Sequence, residues 1–424
     1  MTLVYVVGIL LLLLFTGLPV AFALGAMGVG MLWMRDLPML LVAQNLFGAL
    51  DNFVLLAVPL FLLMSNVLLR GGVGRDLFEA VQSWVGHWPG GVGIAALLSC
   101  GLFSAISGSS VATAATVGTV AVPEMTKRGY SRPFTLGLLA AGGTLGILIP
   151  PSIPLIVYGV ITEISISRIF LAGIGPGLLL IFLFGGYTII YAKWSGHYIA
   201  PPRADMATRV RATLRALPTA GLAVVMLGGI YTGIFTPTEA SAIGAVLAIA
   251  LTTLVLRTLG WRDFLLAVRG AVITTAVIFL IVIGAKIFGR AITLYQVPAQ
   301  VSQLVDTQVG SQWLFLLIVV GILLFIGLFL ESLSMLLIMV PVLYPTVLSL
   351  GIDPFWFGIF FVLLIEIALI TPPVGLNLFV IQAVARSTLG EVIRGVWPFI
   401  LLMLFSVFLI WLFPAIVLYL PNRL

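Results

Sequence analysis

The chain has 424 residues, of which 62% are hydrophobic and 8% charged, and its formal net charge is +6. Soluble domains carry about 25% charged residues, so this composition excludes a soluble globular protein and predicts a polytopic membrane protein. The basic residues cluster between apolar runs, which favours cytoplasmic loops over nucleic-acid binding. One cysteine and two histidines exclude an internal disulfide and argue against a cysteine or histidine metal site.

The apolar runs have the length of helices, which excludes an outer-membrane barrel built from alternating strands. The N-terminus is apolar from Leu3 and lacks a basic flank. We therefore interpret it as the first membrane helix, with a cleaved signal peptide as the alternative. Val20–Trp33 and Val54–Leu69 predict further spans, and Leu37–Asn52 between them is mixed in character. Arg75–Trp84 fits an amphipathic surface helix.

The next segment contains two interruptions that a simple membrane span does not need. Val92–Phe103 and Val111–Val122 flank a stretch of small and hydroxyl residues around Gly108. Each run covers roughly 20 Å, short of the roughly 30 Å hydrocarbon core, which predicts a re-entrant helical hairpin over about 92–123. Phe134–Leu148 stops at two prolines and resumes at Ile153, which predicts a broken helix over about 134–161. Ile169–Tyr191 follows as a full span.

The second half of the chain has the same order of elements. Leu217–Ile230 and Ala240–Leu256 form a helix pair. Trp261–Arg269 is predicted as a short surface segment, separate from a span at Ala271–Ile287. A second hairpin is predicted over about 313–348 and a second broken helix over about 355–386, interrupted at Thr371-Pro-Pro-Val-Gly-Leu-Asn377. Pro398–Leu418 closes the chain.

Proline spacing indicates an internal repeat. Four prolines are each followed by another proline 222 positions later, namely Pro123, Pro150, Pro151 and Pro176. Ser110 is followed by Ser332 at the same spacing. We therefore predict a first repeat over 1–192, a cytoplasmic linker over 193–215 and a second repeat over 216–424. Each half has five crossings and one hairpin, and this odd number predicts that the repeats are inverted.

The distribution of positive charge predicts the orientation. This topology places 15 of the 20 Lys and Arg residues on one side of the membrane and five on the other. By the positive-inside rule the first side is cytoplasmic, so both termini are predicted to be periplasmic. The first hairpin then opens toward the cytoplasm and the second opens outward. Opposed hairpins and two broken helices are typical of a secondary transporter.

The breaks also provide groups that could bind a coupling cation and an anionic substrate. No nucleotide-hydrolysis motif is present, so we expect an ion gradient to drive transport. A hard cation such as sodium prefers oxygen ligands, and prolines at each break free backbone carbonyls. Half-helix N-termini favour an anionic substrate group.

Three acids lie in or near apolar runs. Glu331 could bind a cation, relay a proton or gate, Glu239 could cap a helix or act in transport, and Glu366 could pair with a scaffold cation.

Three motifs resemble those of one transporter family. Gly-Ser-Ser-Val-Ala-Thr-Ala-Ala-Thr-Val-Gly from Gly108, Gly-Ile-Leu-Ile-Pro-Pro-Ser from Gly146 and Thr-Pro-Pro-Val-Gly-Leu-Asn from Thr371 are similar to the large membrane subunit (DctM-like) of tripartite ATP-independent periplasmic (TRAP) transporters. The resemblance covers essentially the whole chain. It implies an all-α elevator-type, sodium-coupled symporter in the bacterial inner membrane. It also implies two partners, a small membrane subunit of about four helices and a periplasmic substrate-binding protein.

The resemblance further implies site residues. One sodium site would use Ser104, Gly146, Ile149 and Pro151, and the other Gly327, Ala368, Thr371 and Val374. Ala368 departs from the glycine expected there, and Ile326 stands where the first repeat has Ser104. The substrate would lie between the hairpin tips, near Ser107, Gly108, Ser109, Ser110, Glu331, Ser332, Ser334 and Asn377. No organic cofactor is implied.

The leading hypothesis is therefore a transporter subunit, not an enzyme, that imports a small organic anion such as a carboxylate or sugar acid. The alternative is a stand-alone symporter or exporter of the same broad fold, which would need no binding protein. A channel would conduct without sodium dependence. An intramembrane enzyme is the weakest reading, because no nucleophile–base pair or metal set converges in the sequence.

Overall fold

The computed structural model describes residues 2–305, 307 and 310–423. Within this part the chain is helical and contains no strand. Among the described residues, eight helices are long and apolar enough to cross a membrane. The all-helical membrane class predicted from composition is therefore confirmed.

The first half of the chain forms ten α-helices, with a short 3₁₀ turn at Phe53–Leu56. They are α1 (Thr2–Phe15), α2 (Val20–Trp33), α3 (Leu40–Leu50), α4 (Ala57–Arg70), α5 (Val73–Val85), α6 (Gly91–Ser107), α7 (Ser110–Lys127), α8 (Arg132–Leu148), α9 (Ile153–Thr162) and α10 (Ile166–Ser195). The predicted hairpin corresponds to α6–α7, and the predicted broken helix to α8–α9. The amphipathic helix is α5, whose apolar residues Val73, Leu77 and Phe78 are buried.

The second half forms a further ten α-helices, with a π-helical turn at Leu251–Val255. They are α11 (Met206–Tyr231), α12 (Pro237–Ala250), α13 (Trp261–Leu294), α14 (Val297–Leu304), α15 (Gln312–Gly327), α16 (Ser332–Ser349), α17 (Pro354–Ile370), α18 (Leu376–Ala385), α19 (Leu389–Leu412) and α20 (Ala415–Leu418). The second hairpin is α15–α16 and the second broken helix is α17–α18.

The helix bounds repeat with the spacing of the prolines. Both bounds of α7, shifted by 222 positions, give both bounds of α16, and α8 maps onto α17 in the same way. The caps repeat as well, because Ser131 caps α8 and Asp353, 222 positions later, caps α17. Local structure therefore recurs at the same register as the sequence pattern.

Two sequence expectations differ from the structure. The predicted surface segment Trp261–Arg269 and the span Ala271–Ile287 are one continuous helix, α13. Gly270 between them does not end the helix. A Cβ atom there would lie 3.0 Å from Asn66 Oδ1, so the glycine allows α13 to approach α4. Interhelical packing outweighs the helix-propensity cost of a single glycine, about 1 kcal/mol.

The polar segment predicted as the linker is partly helical. Helix α10 continues to Ser195 and α11 begins at Met206, so much of 193–215 is helical. The many charged residues of this segment obscured its helical periodicity in the sequence. Met206, Val210 and Leu214 nevertheless have helical spacing and form an exposed apolar stripe on α11. The irregular part packs against the first hairpin, because the Ile199 N–H donates to the Arg128 carbonyl at 2.9 Å.

Helix packing indicates two groups of elements, which α5 and a contact between α13 and α16 join. Helix α13 packs against α2 and α4, and α12 packs against α4 and α11. In the other group, each hairpin packs against the broken helix that follows it. The second arms of the broken helices cross between halves, since α18 packs against α7 and α9 against α16. This crossing brings both hairpins and both breaks into one body.

Candidate functional site

The tip of the first hairpin is a tight turn whose polar groups are mostly satisfied. Gly108 has a φ of +61°, a left-handed conformation that favours glycine, and its N–H donates to the Ser104 carbonyl at 3.2 Å. Ser109 caps α7, because its Oγ accepts from the Ala112 N–H at 3.4 Å. Ser107 is fully buried, and its hydroxyl lies 2.9 Å from that of Thr113.

The first broken helix ends in carbonyls that lack helical donors. Pro150 and Pro151, which are joined by a cis peptide bond, have no N–H to offer to Gly146 and Ile147 one turn earlier. The Ile147 carbonyl instead accepts the hydroxyl of Ser152. That same serine caps α9 by accepting from the Leu155 N–H at 3.4 Å. The break therefore exposes several backbone oxygens, and the Ser152 side chain connects the end of α8 to the start of α9.

The hairpin tip touches this break through backbone atoms. A Cβ atom on Gly146 would lie 2.5 Å from the Ser109 oxygen and 2.8 Å from the Ser110 nitrogen. A Cβ atom on Gly108 would overlap the Pro151 oxygen. The structure thus brings Gly108, Ser109 and Ser110 together with Gly146 and Pro151.

The two remaining residues predicted for the first sodium site lie at its margins. Ser104 is one turn before the tip, and its hydroxyl donates to the Cys100 carbonyl at 2.6 Å. Ile149 belongs to the break, but its side chain packs toward Gly101 and Gly177. The Ser104 hydroxyl oxygen keeps its lone pairs while it donates, so this oxygen and the main-chain oxygens of both residues suit the predicted site.

The tip of the second hairpin is capped by a carboxylate. Glu331 precedes α16, and its Oε1 accepts from the Ser334 N–H at 3.2 Å and the Ser334 hydroxyl at 2.9 Å. Glu331 and Ser334 stand 222 positions after Ser109 and Ala112, which make the equivalent cap in the first hairpin. Ser332 is half-buried and Ser334 fully buried. Glu331 therefore has a local structural role at the position equivalent to Ser109.

The second break repeats the pattern less completely. The Thr371 hydroxyl donates to the Ile367 carbonyl at 2.6 Å, and the Thr371 N–H donates to the Ala368 carbonyl at 3.2 Å. A Cβ atom on Gly327 would overlap that of Ala368, so the end of α15 meets α17 there. Val374 is 37% exposed. Among the described residues, no hydrogen bond joins the Glu331–Ser334 tip to this break.

Asn377 links the two broken helices. It is fully buried in α18, and its Nδ2 donates to the Ala140 carbonyl of α8 at 3.3 Å. Its Oδ1 has no hydrogen-bond partner among the described residues. The structure therefore holds Asn377 against the first broken helix, while its predicted role in substrate binding stays a prediction.

The other two acids have different surroundings. Glu239 is exposed and forms a capping box, in which its Oε2 accepts from the Thr236 N–H at 2.8 Å. Of its two predicted roles, the helix cap is confirmed. Glu366 is fully buried in α17, and neither carboxylate oxygen has a partner in the described part of the chain. Among the described residues Glu366 forms no ion pair, so the pairing with a scaffold cation that the sequence allowed is not present.

The predicted site set omitted two residues that the structure brings to the first tip and break. Thr113 donates to the Ser109 carbonyl at 2.9 Å, and Ser152 closes the proline break. Both had a signal in the sequence. Ser152 directly follows the proline pair, and Thr113 lies one helical turn after the predicted hairpin tip.

The ligand chemistry available at the breaks is that of neutral oxygen. No group of three or more His, Cys, Asp or Glu side chains comes together among the described residues. Carbonyls at Gly146, Ala368 and Thr371 and nearby hydroxyls suit a hard monovalent cation better than a transition metal. Helices α7 and α9 begin beside the first break, so their N-termini favour an anionic group there.

Comparisons with known proteins agree with this architecture. Residues 7–416 match the family model of the tripartite ATP-independent periplasmic transporter, DctM component. The C4-dicarboxylate TRAP transporter large permease protein of Pseudomonas aeruginosa is 40% identical over 384 residues, which are 90% of each chain. The sialic acid TRAP transporter large permease protein of Vibrio cholerae is 35% identical over 411 residues, 97% of this chain and 96% of its own.

A solved structure supports the fold alone. The Alcanivorax borkumensis YdaH transporter superposes with a TM-score of 0.62 at 16% identity, covering 87% of this chain and 86% of its own. The sequence relatives carry the assignment further, because they extend over nearly the full chain. The protein belongs to the DctM family, the large membrane subunits of TRAP transporters.

Proposed function

We propose that this subunit is a sodium-coupled symporter that imports a small organic anion across the bacterial inner membrane. A periplasmic binding protein delivers the anion, and a small four-helix membrane subunit braces the large one. The observation that carries the proposal is the close contact between each hairpin and the adjoining broken helix. Gly146 meets the Ser109 backbone in the first half, and Gly327 meets the Ala368 side chain in the second.

Sodium suits these contacts because each break leaves carbonyls without helical donors. In the first site, oxygens of Ser104, Gly146, Ile149 and Pro151 would hold the ion. In the second, oxygens of Gly327, Ala368, Thr371 and Val374 would do so. Thr371 supports this assignment, since its hydroxyl already lies over the last turn of α17 at 2.6 Å from the Ile367 oxygen. The sodium gradient across the membrane would then drive transport without nucleotide hydrolysis.

The substrate is proposed to bind between the hairpin tips. Serines 107, 109 and 110 border the first tip, and Glu331, Ser332 and Ser334 border the second. The N-termini of α7 and α9 supply positive partial charge for a carboxylate. The two relatives carry different substrate names at similar identity, one a C4-dicarboxylate and one sialic acid. This supports the class of carboxylates and sugar acids and leaves selection among them to the binding protein.

Movement is proposed to follow the elevator mechanism, with the two repeats inverted. The body of hairpins and broken helices would move against the group formed by α2, α4, α12 and α13. The 222-residue recurrence of α7–α8 as α16–α17 supports equivalent devices in the two halves. With an odd number of crossings per half, the termini are both periplasmic and the hairpins open on opposite sides.

Reconstitution tests the proposal against the stand-alone alternative. The large and small subunits are placed in vesicles, and uptake of a radiolabelled carboxylate is measured with the loaded binding protein outside. Uptake should require an inward sodium gradient and the binding protein together. Uptake that needs sodium but no binding protein would support the stand-alone symporter. Uptake without sodium would refute sodium coupling.

A further inference from the structure

One buried acid has no role in the site described above. Glu366 of α17 and Arg209 of α11 are the only charged side chains that are buried among the described residues. Neither carboxylate oxygen of Glu366 has a hydrogen-bond partner in that part of the chain. A buried ionised carboxylate is costly unless a cation compensates its charge. The position of Glu366 in the fold indicates which cation can do so.

The course of α17 brings Glu366 to the depth of the first break. At the start of α17, the Pro354 carbonyl accepts the Tyr158 hydroxyl of α9 at 2.8 Å. Beyond its end, Asn377 donates to the Ala140 carbonyl of α8 at 3.3 Å. Glu366 stands halfway between Pro354 and Asn377 in sequence. The first break stands halfway between Ala140 and Tyr158. Helix α17 therefore runs antiparallel to the first broken helix and passes the break near Glu366.

Helix α10 gives the same depth independently. A Cβ atom on Gly358 of α17 would lie 3.0 Å from the Ile169 side chain of α10. Both helices run from this contact toward the break. Eight residues further along each helix, about 12 Å, stand Glu366 and Gly177. A Cβ atom on Gly177 would lie 2.8 Å from the side chain of Ile149, which belongs to the first break.

Glu366 faces away from the second sodium site. Ala368 of α17 meets Gly327 at the end of α15. Two residues along an α-helix turn the side chain by about 200°, so Glu366 and Ala368 project from opposite faces. Of the two proposed ion sites, the first is therefore the one that the Glu366 carboxylate approaches.

The second site has no equivalent carboxylate. Thr144 stands 222 positions before Glu366 and lies one turn after Ala140, the residue that Asn377 contacts. It therefore occupies the corresponding level beside the second break. Thr144 is neutral, and its hydroxyl donates to the Ala141 carbonyl at 2.8 Å. The two halves repeat in backbone but differ in charge at this level.

We propose that the Glu366 carboxylate is the countercharge for sodium in the first site, supplied by the second half of the chain. The inference rests on the proposed sodium coupling. The oxygens expected to hold that ion are neutral, so the ion needs a negative charge nearby in the low-dielectric interior. The carboxylate need not touch the ion. At about 9 Å, the usual spacing of packed helices, and an effective dielectric constant of about 20, the attraction tightens binding by about 20-fold.

Isosteric substitutions test the charge. Glu366→Gln removes the charge and keeps the size of the side chain. Glu366→Met is the second variant, with an apolar side chain of similar length, if the glutamine lowers the yield of folded protein. Glu239→Gln is the matched control, because it makes the same change in an exposed capping box that accepts glutamine equally well.

The measurement is equilibrium binding of radiolabelled sodium to the purified two-subunit complex without substrate. Both Glu366 variants should weaken the class of site that Gly146→Ala also weakens by about 20-fold, and change the other class less than threefold. Glu239→Gln should change neither class more than twofold. Unchanged binding in the Glu366 variants, or equal weakening of both classes, would overturn the countercharge alone. Wild type that binds no sodium would refute the proposed function as well.

Thermal unfolding separates this role from a packing role. Without sodium, wild type buries an uncompensated carboxylate, so both Glu366 variants should melt at or above the wild-type temperature. Sodium should then raise the melting temperature of wild type more than that of the variants. Variants that melt below wild type without sodium and keep the full wild-type gain from sodium would overturn the proposal.

Discussion

The backbone contact between Gly146 and the hairpin tip makes a sharp prediction for Gly146→Ala. The new Cβ atom would lie 2.5 Å from the Ser109 oxygen and 2.6 Å from the Ser109 carbonyl carbon. Ordinary van der Waals contact begins at 3.4 Å, so the gap is about 0.9 Å too small. Both neighbours are backbone atoms of a capped tip, so no side-chain rotation relieves the overlap. The hairpin tip must move away from α8.

Overpacking of this kind costs about 1–3 kcal/mol. If the first sodium site spans the contact, the cost falls on the ion-bound state and weakens sodium binding by about 5- to 150-fold. The assay is the sodium concentration that gives half-maximal uptake in vesicles containing both membrane subunits. Thermal unfolding of the same preparation shows whether the variant is folded.

Gly142→Ala is the matched control. It lies one turn earlier on α8, and its Cβ atom would be 3.2 Å from the Cys100 sulfur, a side-chain atom that can shift. This variant should keep the wild-type sodium dependence within about twofold. The reasoning is refuted if folded Gly146→Ala shows the same sodium dependence as Gly142→Ala.

Three further substitutions test the assigned roles. Thr371→Ala should weaken sodium activation about tenfold with the fold intact, since one oxygen ligand is worth about 1.4 kcal/mol. Thr371→Ser should restore sodium activation. Unchanged activation in Thr371→Ala would count against the second site. Ser152→Ala removes the α9 cap and the donor to the Ile147 carbonyl, so the free energy of unfolding should fall by about 1–2 kcal/mol. Ser152→Thr, which keeps the hydroxyl, is the control. An unchanged melting temperature in the alanine variant would contradict the capping role of Ser152. Glu239→Ala should lower the melting temperature slightly and leave sodium-dependent uptake unchanged, because this side chain is an exposed helix cap. A loss of sodium dependence would show that Glu239 acts in transport.

Features set by local covalent geometry were predictable from the sequence. The consecutive prolines end their helices, so the breaks at Pro150 and Pro372 follow from sequence position, whereas single prolines such as Pro123 and Pro176 lie inside α7 and α10. The 222-residue register of prolines also predicted the recurrence of whole helices.

Features set by contacts between distant segments were not predictable in the same way. Gly270 is a helix-breaking signal when considered alone, but its closeness to Asn66 gives it a packing role inside α13. The partner of Asn377 is Ala140 of the other half, and no pattern within either segment indicates that pairing. Glu331 looked like a free intramembrane acid, whereas the structure uses it as a cap equivalent to Ser109.

The central claim is that each hairpin and its adjoining break form one sodium site. Equilibrium binding of radiolabelled sodium to the purified two-subunit complex tests this most directly. Wild type should bind sodium in two classes of site, Gly146→Ala should lose the first class and Thr371→Ala the second. Sodium binding that is unchanged in both folded variants, or absent from wild type, would contradict the account.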